Sequence, residues 1–201
     1  MVSLDPKQQE LVDRLFAAKT ITGTFCTYHH VDENDAELIY NLRTKRKDSF
    51  LRPTDGGVED QRKYLEKYKQ ELSKKEQIYY KLFDNQNNKF LGVLRLTELN
   101  DPVNFNWQSF VVSEESSPNM PIDAMLMLYR IGFEFLGRKV CGPWDVDKEF
   151  AKMIKIHKII NMAKIVGDNG KYHLFAVKDT DYFANIDKFL KMNYAKLGGL
   201  L

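Results

Sequence analysis

The chain has 201 residues, 43% of them hydrophobic, with 30 Lys and Arg against 28 Asp and Glu for a formal charge of +2. That length and apolar content suit one domain with a real core, flanked at most by small appendages. The near balance of charge supplies no field for a nucleic acid partner, and the Lys-rich stretches at 43–47 and 74–75 read as solvated surface.

Residues 5–18 predict a helix, because Asp5 is a good cap, Pro6 a good first-turn residue, and Leu11, Val12, Leu15 and Phe16 form one stripe. Residues 23–31 are β-rich, residues 32–34 break the chain, and residues 35–43 return to helix with Ala36, Ile39 and Leu42 inward. Residues 45–58 read as a charged loop with Pro53, Gly56 and Gly57 as turn residues, and it displays Phe50 and Leu51. Residues 59–72 form the next helix, with Tyr64, Leu65, Tyr68 and Leu72 on one face. Three strands follow at 78–83, 89–99 and 104–112, joined by hairpin turns as an antiparallel meander, with Gly92 marking a bulge or a close approach.

After a polar loop at 113–121, residues 122–136 predict a helix apolar on nearly every side, closed by Gly137. Residues 139–146 form a strand, and a second helix follows to residue 162. Short strands at 163–166 and 172–177 flank the turn Gly167-Asp168-Asn169-Gly170, and residues 181–196 form a final helix carrying Phe183, Ile186, Phe189 and Leu190. The order predicts an α+β fold with a mixed, mostly antiparallel sheet flanked by helices.

The two cysteines, Cys26 and Cys141, are isolated and fit a reducing compartment. Cys26 with His29 and His30 lacks a second cluster to complete a metal site, so no metal is expected. No apolar run reaches the roughly 18 to 20 residues of a membrane span. Asp5, Glu10 and Asp13 interrupt the start, so it does not read as a signal peptide. The expectation is a cytoplasmic protein without a membrane or nucleic acid partner.

The stretch 146–162 carries the strongest chemical signal. Phe150, Met153, Ile154, His157 and Ile160 share one helical face, four apolar residues around one group able to move a proton near neutral pH. A core or rim histidine with a hydrogen-bond partner is the plain alternative.

With Val146 ahead of it, that stretch keeps the spacing of a late segment in the GNAT acyltransferases, approximately Val-x-x-x-Asn-x-x-Ala-Ile-x-x-Tyr-x-x-x-Gly-Phe. Phe150 stands at the Asn, Met153 and Ile154 at the Ala and Ile, His157 at the Tyr, and Asn161 and Met162 at the Gly and Phe. The order of elements over residues 23–178 resembles that fold, leaving 1–22 and 179–201 as extra N- and C-terminal helices. Those helices either pack on their own domain or serve a homodimer. Residues 35–43, 91–96, 110–112 and 133–136 are similar to the bacterial group that acetylates amino sugars on nucleotides for surface polysaccharides.

The resemblance implies acetyl-CoA as co-substrate and a small amine, such as a nucleotide sugar, as acceptor. It places the pantetheine arm against Phe110, Val111 and Val112, facing Trp144, Asp145 and Val146. It places the diphosphate at Ser117, Asn119 and the helix start Ile122, Asp123 and Ala124. No glycine is present in that turn, and Pro118 and Pro121 remove two donors. The unpaired amides of a helix N-terminus suit an anion, while Glu114, Glu115 and Asp123 oppose it unless they point away. His157 takes the place of the residue that protonates the departing thiolate, and Glu98 or Asp145 is the candidate base. Arg43 contacts a phosphate of the acceptor, and Phe50, Tyr80 and Trp107 stack on a base or sugar ring. Two readings compete: acetylation of a protein N-terminus or lysine, and a degenerate acyl-CoA-binding module. The absent glycines and Phe150 in place of Asn favour the second of these.

Overall fold

The computed structural model describes residues 3–45, 56–198 and 200. Helix α1 (Pro6–Ala17) starts where the sequence indicates. The Asp5 carboxylate accepts from the Gln8 amide at 2.8 Å, and the Gln8 side chain accepts in return from the Asp5 amide. Strands β1 (Thr20–Thr22) and β2 (Cys26–His30) form a hairpin, closed by the Gly23 amide donating to the Cys26 carbonyl at 2.9 Å. The single β-rich stretch expected at 23–31 is therefore two strands, and a boundary at residue 22 falls inside this hairpin. Helices α2 (Ala36–Lys45) and α3 (Val58–Ser73) follow, then the antiparallel meander β3 (Ile78–Asp84), β4 (Phe90–Thr97) and β5 (Asn104–Val112).

Helix α4 (Met120–Arg130) is buried along nearly its whole surface and runs on through a wider turn, Ile131–Phe135, to Gly137 at φ +66°. Strand β6 (Val140–Asp147), helix α5 (Ala151–Ile160) and the hairpin β7 (Lys164–Asn169) and β8 (Tyr172–Lys178) complete the expected order. The sheet runs β1-β2-β3-β4-β5-β6-β8-β7, and its neighbours are antiparallel except β5 and β6. Helix α4 packs in the large cluster on one face, and α2 and α3 pack against Tyr79, Val93 and Val111 on the other.

The helix expected over 181–196 is broken into α6 (Asp179–Phe183) and α7 (Ile186–Lys191). At the break the Asn185 side-chain amide donates to the Asp181 carbonyl at 2.9 Å, competing with the helical ladder. Tyr182, Ile186 and Phe189 sink into the same cluster as Val12 and Leu15 of α1, so both terminal elements pack on their own domain. No helix among the described residues is long and apolar enough to cross a membrane.

A candidate cofactor cleft between two diverging strands

Strands β5 and β6 pair in parallel at only two positions, Asn104 with Val140 and Phe105 with Cys141. Beyond these, β5 stays with β4 and β6 stays with β8. Both strands are bulged where they part. On β5, Ser109 and Phe110 together oppose Leu94, with Ser109 left-handed at φ +51°. On β6 the irregularity falls at Gly142 and Pro143, where Gly142 adopts φ +103° and a side chain would meet the Trp144 ring at 2.7 Å. A bulge bends its strand and raises its twist, and two of them side by side open the sheet.

The opening is a cleft of about 710 Å³. Trp107, Phe110, Val111 and Val112 of β5 form one wall and Trp144, Asp145 and Val146 of β6 the other. At the narrow end the rings of Trp107 and Trp144 lie 5.1 Å apart. There Asn106 pins the fork, donating to the Pro143 carbonyl at 3.0 Å and, over 3.4 Å, to Glu98. On the β4 side, Gly92 permits close approach, since a Cβ there would lie 2.3 Å from the Val111 carbonyl oxygen. The Ser113 amide donates to the Leu91 carbonyl at 2.7 Å, which carries the β4–β5 pairing on past the bulge.

The wide end meets the start of α4 at Ser116, Ser117, Pro118 and Pro121. The Ser116 and Met120 amides donate to Ser113 and Ser117 carbonyls, while those of Ser117, Asn119 and Ile122 have no hydrogen bond among the described residues. The Asn119 and Ile122 amides are open donors of the helix first turn, and Ser117 precedes it. Of the three acidic groups nearby, two face elsewhere. Glu115 pairs with Lys89. Asp123 is fully buried behind the helix, accepting from the Ala195 amide at 2.6 Å and the Phe25 amide at 3.4 Å, and burial raises its pKa. Glu114 lines the cleft, with Lys152 of α5 also in its lining.

The expected site residues divide accordingly. Phe110, Val111, Val112, Ser117, Asp145 and Trp107 line the cleft. Asn119, Ile122, Asp123 and Ala124 are not in its lining; Ala124 is buried in the core and the Asp123 carboxylate anchors the C-terminal segment instead. Glu98 is exposed just past β4, at φ +62°, and reaches the fork only through Asn106. Tyr80 is fully buried with its ring against Tyr28 and His30, on β3 and away from the cleft. Arg43 sits on α2, where its charge acts on Tyr64 and Tyr79. Phe50 lies outside the described residues.

His157 differs most from its expected role. It is 3% exposed, outside the cleft lining, with its ring 4.7 Å from that of Phe175 and 5.5 Å from that of Trp144. Neither ring nitrogen has a partner among the described residues. Burial pushes its pKa down to about 4, so at neutral pH it is an uncharged imidazole, not the imidazolium a proton donor requires. The face of α5 turned to the cleft is Lys152, Met153 and Ile156, one notch around from the stripe containing His157. Met153 belongs to both stripes, which is the signal that pointed to this helix without identifying its orientation.

No family model and no curated protein matches the chain. Solved structures do. FdhC in its apo form, described as a nucleotide-linked sugar GNAT, superposes with a TM-score of 0.75 at 20% identity, over 87% of this chain and 98% of that one. The Campylobacter jejuni N-acetyltransferase PseH gives 0.57 at 15% identity, over 77% and 98%. A variant of the spermidine N-acetyltransferase SpeG from Vibrio cholerae gives 0.59 at 15%, over 77% and 96%. These likenesses show that the chain has the GNAT fold.

Proposed function

We propose that the chain is an acetyl-CoA-dependent N-acetyltransferase of a small amine, with an amino sugar carried on a nucleotide as acceptor. The observation that carries this reading is the fork: β5 and β6 pair twice and then part around an apolar cleft that ends at the start of α4. The nucleotide-sugar part draws on the description of FdhC.

The residues present fit the co-substrate. Phe110, Val111, Val112, Val146 and Met153 offer apolar walls for a pantetheine arm. The Ser117 amide at the start of α4, with Lys152 in the same lining, suits a diphosphate. Acetyl-CoA brings an activated acyl carbon. The chain positions it, excludes water with Trp107 and Trp144, and accepts the amine proton at Glu98, directly or through water, while the departing coenzyme A thiolate takes its proton from solvent. Asp145, exposed in the β6 wall, is the alternative base. His157 enters this scheme only as packing behind Trp144.

Acetyl-CoA at about 100 times its Kd should stabilise the folded chain by about 2.7 kcal/mol, read as a rise in Tm. Thiol release in the presence of nucleotide-linked amino sugars then reports turnover. No rise in Tm at saturating acetyl-CoA sinks the reading. A rise with no thiol release on any amine favours a non-catalytic acyl-CoA-binding module, the reading that the absent glycines and Phe150 in place of Asn favour.

A further inference from the structure

On the α2–α3 face of the sheet, directly across β5 from the cleft, Arg95 occupies an unusual setting. Its Nη2 donates to Ser109 Oγ at 2.7 Å, the bulged residue that also lines the cleft. Its Nη1 donates to Gln77 Oε1 at 3.3 Å. The guanidinium lies 5.4 Å from the Tyr64 ring centroid and 5.1 Å from that of Tyr79. Every one of these partners is neutral. No carboxylate pairs with Arg95 among the described residues, and its Nε is buried without a partner. The nearest acid in the network, Glu71, is spent on the other end of the Gln77 amide. Burial raises the pKa of both Tyr64 and Tyr79, and the charge of Arg95 opposes that rise in both. Tyr64, 36% exposed, stands at the outer side of the group.

A half-buried guanidinium held by a hydroxyl, an amide and two rings is oriented yet electrically uncompensated. Its planar fork matches a phosphate or diphosphate. Placing a charge there without a counter-ion is unfavourable unless something anionic arrives. We propose that Arg95 is the anchor for a phosphate group of the acceptor, which therefore reaches the fork from the α2–α3 face while the co-substrate occupies the opposite side of β5. This inference rests on the acetyltransferase reading and names the residue that holds the phosphate of its acceptor. Ser109 is the physical link, because the same residue touches the guanidinium and lines the cleft.

The test is calorimetric titration of uridine diphosphate into the full chain already saturated with coenzyme A, so that the cleft's own diphosphate site is blocked, with uridine as the phosphate-free control. Arg95→Gln should weaken uridine diphosphate binding about 10- to 100-fold while coenzyme A affinity holds. Arg95→Lys keeps the charge but loses the fork, and should fall between the two. Thermal melts confirm that each variant is folded, and the Lys variant serves should the Gln variant not be. Failure of the parent to bind uridine diphosphate, or equal binding by parent and variants, overturns the assignment. Should coenzyme A itself not bind, the acetyltransferase reading fails on that arm alone, and the uridine diphosphate titration still judges Arg95.

Discussion

Trp107 and Trp144 face each other at 5.1 Å, one on each of the two strands, at the point where the sheet forks. The pair fills the apex that main-chain hydrogen bonds vacate, and Trp144 also shields His157 from the cleft. Removing the Trp144 ring therefore touches packing, cofactor affinity and a buried titratable group together.

Trp144→Ala should cost about 3–5 kcal/mol of stability, the range for truncating a buried large aromatic. Urea unfolding measures it. The same variant should raise the pKa of His157 toward 6.5, followed by NMR of the imidazole, because water then reaches the ring.

The pH dependence of stability follows from His157. Its folded pKa, about 4, lies below the ordinary 6.5, so between those values the unfolded chain binds the extra proton. This group's penalty is absent above about pH 6.5 and grows as pH falls, saturating near pH 4 at about 3 kcal/mol. His157→Leu should flatten that slope and be no less stable than the parent at pH 7, since it removes two unpartnered nitrogens. An unchanged slope in the variant would assign it to other groups.

Gly92→Ala forces a methyl to within 2.3 Å of the Val111 carbonyl oxygen, so β4 or β5 must shift. Overpacking of this kind costs about 1–3 kcal/mol. Because Val111 is in the cleft wall, acetyl-CoA affinity should fall with it, and titration of acetyl-CoA checks this against the melting temperature.

Asp123→Ala leaves the Ala195 and Phe25 amides without their acceptor and should cost about 1–3 kcal/mol. Limited proteolysis should then cut the C-terminal segment first. Unaltered protease resistance would show that the segment holds by packing alone.

Glu98→Gln should lower turnover by about 100-fold or more while leaving coenzyme A affinity in place, the pattern for a group that moves a proton in the chemical step. Steady-state thiol release and calorimetry separate the two. Equal turnover would move the base to Asp145 or to water.

Most elements were legible because their signals are local. Asp5 and Pro6 start α1, Gly137 stops the long buried helix, and alternation with turn residues sets out the meander. The walls of the cleft were legible through the resemblance at residues 110–112 and 144–146. What escaped depends on register and on direction. The rotation of α5 could not be read, because two overlapping stripes share Met153 and both contain large apolar residues. Asp123 sits in a helix first turn like any anion-facing or anion-repelling acid, and only the fold shows that Ala195, 72 residues onward, claims it. The break at Asn185 turns on one side-chain hydrogen bond. Arg95 reads as an ordinary strand residue until Ser109 bulges toward it.

The borders of the sheet differ in kind. Thr22 of β1 exchanges two hydrogen bonds with Gly198, each 3.0 Å, so that border is already occupied by the chain's own tail. At the other border β7 leaves Ile165 and Val166 more than half exposed and carries an irregularity at Val166. Runaway fibre growth needs an adhesive margin on both flanks of each molecule. With Thr22 on one flank covered, sticking through β7 favours a pair over an endless stack.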